Sequence, residues 1–108
     1  MNYNIFTTPN FDKEAKSLAK KYRSLKTELS RLFTELQENP TLGTPLGNDV
    51  YKIRLAISSK GKGKSGGARV ISFVKTLTNS VYLFSIYNKG NKDTITDKEI
   101  QELLKKFQ

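Results

Sequence analysis

The sequence contains no cysteine and no histidine. Without cysteine there is no disulfide, no thiol nucleophile and no thiolate metal site, and without histidine there is no serine–histidine–aspartate triad. The ten carboxylates lie mostly on predicted helices and lack the clustering of metal ligands. We therefore expect neither a metal nor another cofactor, and the absence of disulfides fits a reducing cytoplasm.

Long hydrophobic runs are also missing. The apolar runs extend over a few residues only, far short of the roughly 20 that cross a bilayer. The N-terminal stretch MNYNIFTTPNF lacks the charged start, apolar centre and small-residue cleavage site of a signal peptide. We expect a cytoplasmic protein with no membrane contact. The 108 residues suit one domain with one core of ordinary size, predicted to span 1–108.

Acidic residues are absent from one long block of the chain. The net charge is +9, yet residues 1–49 carry seven basic and six acidic side chains, and residues 93–108 carry three and four. The excess comes from nine cations in residues 50–92: Lys52, Arg54, Lys60, Lys62, Lys64, Arg69, Lys75, Lys89 and Lys92. A block of one sign predicts a polyanion site, with nucleic acid favoured over a solubilising surface or a patch covered by an acidic protein.

Three helices are predicted from caps and apolar spacing. Thr8 and Pro9 start the first, which runs to about Tyr22, and a second covers 25–36 before Asn39 and Pro40. These two form a helical hairpin. Thr96 and Glu99 make a capping box for a C-terminal helix. Its apolar face comprises Ile100, Leu103, Leu104 and Phe107.

Four strands complete the predicted α+β fold. Residues 2–7 alternate as a first strand, and 50–57 place Lys52 and Arg54 on the face opposite four apolar side chains. Residues 68–76 and 81–89 form an antiparallel hairpin. Residues 40–49, with two prolines and two glycines, are interpreted as a loop. The expected order is an N-terminal strand, the helical hairpin, an antiparallel three-strand meander and the C-terminal helix.

Residues 58–69, SSKGKGKSGGAR, join two of these strands. The GKS triplet lacks the earlier glycine and the following helix of a P-loop, so nucleoside triphosphate binding is not expected. RNA carries its own nucleophile, the 2′-hydroxyl, and its cleavage requires positioning, stabilisation of phosphate charge and proton transfer. Arginine and lysine stabilise the negative charge on the phosphate oxygens. A lysine crowded by other cations can have a lowered pKa, and it can then act as a general base or acid.

Several local patterns, taken in order, resemble the RelE/ParE superfamily of toxins from bacterial type II toxin–antitoxin modules. They are Gly43 and Leu46 before the strand, YKIRL at 51–55, GARVI at 67–71, YLFSIYNK at 82–89, and the terminal amphipathic helix. Within the superfamily the KGKSGGARVI run is most similar to the HigB branch of RelE-type toxins. The resemblance covers nearly the whole chain and implies a compact RelE-like α+β fold.

This resemblance implies a ribosome-dependent mRNA endonuclease that inhibits translation and is silenced by a cognate antitoxin protein. The partners are then the antitoxin, mRNA and ribosomal RNA. It implies that Lys52 and Arg54 meet the mRNA backbone and that Arg69 stabilises the scissile phosphate. The family's later arginine and tyrosine are absent from NKGNKDTIT, so proton transfer stays open among Lys64, Lys89 and Lys92.

The remaining cations are expected to bind RNA rather than to take part in the reaction. Lys60, Lys62 and Lys75 are predicted to bind RNA through phosphate contacts and the general electrostatic field.

Other functions of the protein stay open. A ParE-like inhibitor of DNA gyrase is the alternative function. A non-catalytic protein-binding module is a third. Core packing is favoured over base stacking for the tyrosines of the strands.

Overall fold

Two helices form a hairpin near the N-terminus. The structure is a computed structural model that describes residues 2–61, 63, 66–90 and 95–107. Helix α1 spans Pro9–Lys21 and helix α2 spans Leu25–Glu38. The Thr8 hydroxyl accepts a hydrogen bond from the Phe11 N–H at 3.2 Å, which satisfies a backbone donor in the first turn. The predicted hairpin and its first cap are confirmed.

Five strands form one mixed sheet in the order β1-β5-β4-β3-β2. They are β1 (Asn4–Thr7), β2 (Thr44–Gly47), β3 (Val50–Leu55), β4 (Ala68–Lys75) and β5 (Ser80–Asn88). Strand β1 runs parallel to β5, and the other neighbouring pairs are antiparallel. The predicted β4–β5 hairpin is confirmed. Its turn ends at Asn79, which adopts the left-handed conformation that asparagine tolerates.

The interpretation of residues 40–49 as a loop was wrong, because the segment contains β2. Asn48 and Asp49 both have positive φ, at 54° and 64°. A two-residue turn with this geometry suits a β-hairpin, and it returns the chain into β3. Pro45 is tolerated because β2 lies at the edge of the sheet, where a missing N–H breaks no ladder. The meander therefore has four strands rather than three.

The C-terminal helix begins at the predicted capping box. Helix α3 spans Asp97–Phe107. The Glu99 N–H donates to the Thr96 hydroxyl at 3.2 Å, and the Thr96 N–H donates to the Glu99 carboxylate at 3.1 Å. Two donors at the helix start are satisfied reciprocally. The side chain of Phe107, expected on the apolar face, lies outside the described residues.

The sheet separates two apolar clusters, one on each face. On one face, α1 and α2 pack over residues such as Ile53, Val70 and Ile86. On the other, Ile95 and Ile100 of the α3 segment pack over a smaller set that comprises Val50, Ile71 and Tyr87. Helices thus cover both faces. Since α3 is short, it covers only part of its face, and the candidate site lies on that side.

The helices in the described part of the chain are too short to cross a bilayer. Among the described residues the longest is α2, with 14 residues. About 20 apolar residues are needed for a span. No helix in this part of the chain is long and apolar enough to cross a membrane.

Candidate nucleic-acid interface

Every charged residue on the five strands is a cation. Strand β3 carries Lys52 and Arg54, strand β4 carries Arg69 and Lys75, and no strand contains aspartate or glutamate. Ile71 lies directly opposite Lys52 and packs in the cluster beneath α3. Because side chains alternate along a strand, all four cations lie on the α3 face. We call this surface the cationic face.

Two arginines stand directly opposite each other on this face. The register of the antiparallel pair matches Arg54 of β3 with Arg69 of β4. The Cβ atoms of such a pair lie about 5 Å apart, so the two positive charges belong to one small area of the face. A phosphate bound there interacts favourably with both charges. The pair therefore has the chemistry of an anion site.

The two arginines differ in accessibility. Arg54 is exposed, whereas Arg69 is 3% exposed. A guanidinium nitrogen of Arg69 donates to the Ala68 carbonyl at 3.1 Å. Its other cross-strand neighbour, Tyr87, packs against Ile95 and Ile100 of the α3 segment. Arg54 can contact a phosphate without any change of structure, while Arg69 lies deeper in the same site.

Lys60 lies on the other side of the sheet. Its ammonium donates to the Asn88 side-chain oxygen at 2.6 Å and lies 5.3 Å from the centre of the Tyr22 ring. The amide of Asn88 in turn donates to the Tyr22 hydroxyl at 3.2 Å. Asn88 pairs with Ala68, which belongs to the core beneath α1 and α2. The structure therefore does not bring Lys60 to the cationic face, and its contacts tie the segment after β3 to the end of β5.

Lys89 is the one described cation among the three candidates for proton transfer. It follows β5 directly, is half-buried, and its backbone N–H donates to the Gly67 carbonyl at 3.1 Å. This contact holds its backbone beside the start of β4, two residues from Arg69. Lys62, Lys64 and Lys92 lie outside the described residues.

A buried carboxylate anchors the segment that leaves β3. Glu28 of α2 is 7% exposed and accepts hydrogen bonds from the backbone and hydroxyl of Ser58, the former at 2.6 Å. It also accepts from the Ser24 hydroxyl at 3.1 Å, and Ser24 accepts from the Ser59 N–H at 3.0 Å. These contacts fix where residues 58–67 begin. Sequence reasoning missed Glu28, although an acid between Leu25 and Leu29 on the apolar stripe was a usable signal.

Glu28→Ala is expected to destabilise the protein by about 2–3 kcal/mol. The substitution removes a charged acceptor and leaves the Ser58 N–H without its partner, and hydrogen bonds to buried charged groups contribute about that much. Denaturant unfolding of the variant measures the loss. Glu35→Ala is the matched control, because Glu35 lies two turns further along α2 and is exposed. We expect it to change stability by less than about 0.5 kcal/mol. Equal stability of the two variants would contradict the anchoring role of Glu28.

A cavity of about 430 Å³ lies between α2 and β3. Its charged lining comprises two carboxylates, Glu28 and Glu35, and three cations, Arg31, Lys52 and Arg54. The cavity therefore adjoins the cationic face, but its two carboxylates make it less suited to a polyanion than that face itself. The described part of the chain contains no group of three or more histidine, cysteine, aspartate or glutamate residues that could hold a metal ion. The cationic face is therefore the candidate site.

The mixed sheet with helices on both faces is the fold of a small toxin class. Over residues 3–107 the chain matches the family described as the RelE toxin of the RelE / RelB toxin–antitoxin system. The protein belongs to the RelE toxin family.

Solved structures of this class have the same fold. A mutant of the E. coli toxin RelE in the free state is 20% identical, has a TM-score of 0.66, and the match covers 100% of both chains. A chain of the Mycobacterium tuberculosis RelBE2 toxin–antitoxin complex is 15% identical with a TM-score of 0.61, covering 82% of this chain and 99% of that one. A chain of the intact E. coli RelBE toxin–antitoxin complex is 20% identical with a TM-score of 0.59, and the match covers 80% of this chain and 95% of that one. The α+β fold expected from the sequence is confirmed.

Proposed function

We propose that this RelE toxin is an mRNA endonuclease that inhibits translation by cutting mRNA in the decoding site of the ribosome. The observation that carries the proposal is the cationic face, on which Arg54 and Arg69 stand directly opposite each other and the strands contribute no acid. Such a face binds a phosphate backbone strongly and independently of sequence. The ribosome supplies further positioning of the substrate through its RNA.

The proposed reaction uses the nucleophile that RNA carries. The 2′-oxygen attacks the adjacent phosphorus, a new O–P bond forms, and the bond from phosphorus to the 5′-oxygen of the next nucleotide breaks. The products are a 2′,3′-cyclic phosphate and a 5′-hydroxyl end. Charge that develops on the phosphate oxygens is stabilised by Arg54 and Lys52 at the surface and by Arg69 beneath them. No metal ion is required for these steps.

Two proton transfers complete the reaction. One group removes the proton of the attacking 2′-hydroxyl, and another protonates the leaving 5′-oxygen. Lys64, Lys89 and Lys92 are our candidates. The backbone contact between Lys89 and Gly67 supports Lys89, since it holds this residue close to the start of β4. Lys62 and Lys75 are proposed to contact RNA phosphates outside the reacting centre.

An antitoxin is the proposed protein partner. The family is that of toxins from a toxin–antitoxin system, and chains with the same fold occur in complexes with antitoxins, among them E. coli RelE with a peptide of its antitoxin. An acidic or amphipathic segment of the antitoxin would neutralise the cationic face.

Within the family we propose that the chain belongs to the HigB branch, because its KGKSGGARVI run is most similar to that branch. Because the proposed substrate is mRNA on ribosomes, we also propose a cytoplasmic location.

The proposal is tested with purified ribosomes carrying a defined mRNA. We expect added protein to produce mRNA fragments with 5′-hydroxyl and 2′,3′-cyclic phosphate ends, detected by primer extension and end labelling, and only when ribosomes are present. The same preparation is assayed against DNA gyrase in a supercoiling reaction. Intact mRNA together with inhibited supercoiling would overturn the proposal in favour of gyrase poisoning.

A further inference from the structure

An aromatic pair with one exposed member, Phe6, lies on the cationic face, away from the two arginines. The rings of Phe6 on β1 and Tyr82 on β5 are stacked, with centroids 5.2 Å apart and planes 21° apart. The two residues are paired in the register of the parallel strands. Tyr82 is also paired with Phe73 of β4, so three aromatic side chains form a row across neighbouring strands.

The row belongs to the same face as Arg54 and Arg69. Phe73 lies four residues after Arg69 on β4 and packs against the cluster beneath α3. Four residues of strand place it about 13 Å from Arg69. Lys75, two residues further along, is exposed and projects to the same side. The arginines and the aromatic row thus share one face, on either side of Ile71, which is packed beneath the α3 segment.

Packing among the described residues does not account for Phe6. The residue is 45% exposed, and it belongs to neither of the two apolar clusters that these residues form. Ile5 on β1, and Tyr3 just before it, pack against the main core on the opposite face. An exposed aromatic side chain on an edge strand favours association with other molecules. Phe6 thus has a ring face available to a ligand.

The charge around the row indicates which ligand fits. No strand carries an acid, and residues 2–8, which contain Phe6, carry no charge at all. An exposed cation beside stacked aromatic rings is the combination that binds single-stranded nucleic acid, in which bases stack on the rings and phosphates meet the cations. We propose that Phe6 and Tyr82 form a platform on which an unpaired RNA base stacks, with Lys75 at the backbone phosphate. This inference rests on the proposed function, in which RNA is the substrate.

The platform is tested by binding to a short unpaired RNA. The probe is a fluorescein-labelled RNA of about 12 nucleotides without internal pairing, with 2′-O-methyl sugars so that it cannot be cleaved. Affinity is measured by fluorescence anisotropy at about 50 mM salt. Phe6→Ala and Phe6→Leu are each expected to weaken binding by about 5- to 150-fold, the effect of losing one base–aromatic stack. Leu77→Ala is the matched control, because Leu77 is 99% exposed at the adjoining turn but has no ring, and it should bind as the wild type does.

A tryptophan variant gives an independent measurement of stacking. The chain contains no tryptophan, so Phe6→Trp introduces a single tryptophan at the platform, whose fluorescence can be excited selectively over that of the five tyrosines. We expect this variant to keep its affinity for RNA and its fluorescence to be quenched when the RNA binds, since an indole stacks on a base. Unchanged fluorescence at saturating RNA would contradict stacking at this position.

The outcomes separate the platform from the function on which it rests. If Phe6→Leu binds RNA as tightly as the wild type while Arg54→Ala binds more weakly, the platform is wrong and the proposed function stands. If Phe6→Ala loses affinity but Phe6→Leu does not, Phe6 contributes apolar contact area rather than ring stacking. That is the behaviour expected toward a protein segment, and the platform is again wrong. Absence of RNA binding by the wild type, with intact mRNA on ribosomes, would overturn both.

Discussion

Arg54→Ala is expected to lower the rate of mRNA cleavage on ribosomes by about 10²–10³-fold, the usual effect of removing one preorganised donor from a developing oxyanion. Arg54 is the exposed member of the opposed arginine pair, so its guanidinium is the one that reaches a phosphate in the structure as it stands. The measurement is a single-turnover rate at saturating ribosome-bound mRNA. In cells, the same variant should relieve growth arrest when it is expressed at the wild-type level.

Two further variants make this result specific. Arg54→Lys keeps the charge but loses the planar fork that binds phosphate through two parallel hydrogen bonds, so we expect a rate between those of the wild type and the alanine variant. Arg23→Ala removes an exposed arginine from the turn between α1 and α2, which pack on the opposite face of the sheet, and should leave the rate unchanged. Wild-type cleavage by a folded Arg54→Ala variant would remove Arg54 from the mechanism.

Arg69 is less suited to this experiment, although the resemblance to RelE-type toxins favours it. Its side chain is 3% exposed and hydrogen-bonded to the Ala68 carbonyl. Truncating a buried arginine removes packing and leaves polar groups unpaired, so a loss of activity would be mixed with a loss of stability. Arg54 lies on the same face but is exposed, so its truncation tests activity with little loss of stability. Thermal unfolding of each variant is therefore the necessary companion to its rate.

The sequence predicts the helices and the long strands well because local signals specify them. Thr8 with Pro9, and Thr96 with Glu99, satisfy backbone donors within a few residues of themselves, and this chemistry can be recognised without the fold. Strand β2 has only four residues, and two of them are Pro45 and Gly47. Its existence depends on pairing with β3, so propensity alone indicates a loop.

The site is predictable in part for the same reason. Alternation in β3 puts Lys52 and Arg54 on one face, as the sequence indicates. The position of Arg69 opposite Arg54 depends on the register between β3 and β4, which the sequence pattern does not specify. The contacts of Lys60 with Asn88, and of Glu28 with Ser58, join residues 28 and 30 positions apart, so side-chain type alone could not reveal them.

Gly67→Ala is expected to destabilise the protein by about 3 kcal/mol or more, at the upper end of the cost of overpacking a core. A Cβ on Gly67 would lie 2.0 Å from the Leu55 carbonyl oxygen and 3.1 Å from the Ala56 Cα. Both contacts are backbone atoms at the end of β3, so the new methyl group can be accommodated only if β3 and β4 separate. Thermal unfolding should show a fall in Tm of roughly 10–20 °C.

The same displacement should reduce cleavage, because Gly67 stands two residues before Arg69 and the strands that separate are those that hold Arg69 opposite Arg54. Gly90→Ala is the matched control, since the nearest atom to a Cβ there, among the residues that the structure describes, is the Asn88 side-chain oxygen at 3.7 Å. We expect that variant to unfold within about 0.5 kcal/mol of the wild type and to cut mRNA at the same rate. If Gly67→Ala retains wild-type Tm and activity, the close approach of its backbone to Leu55 does not fix the spacing of the two arginines, and the geometry proposed for phosphate binding would have to come from elsewhere in the sheet.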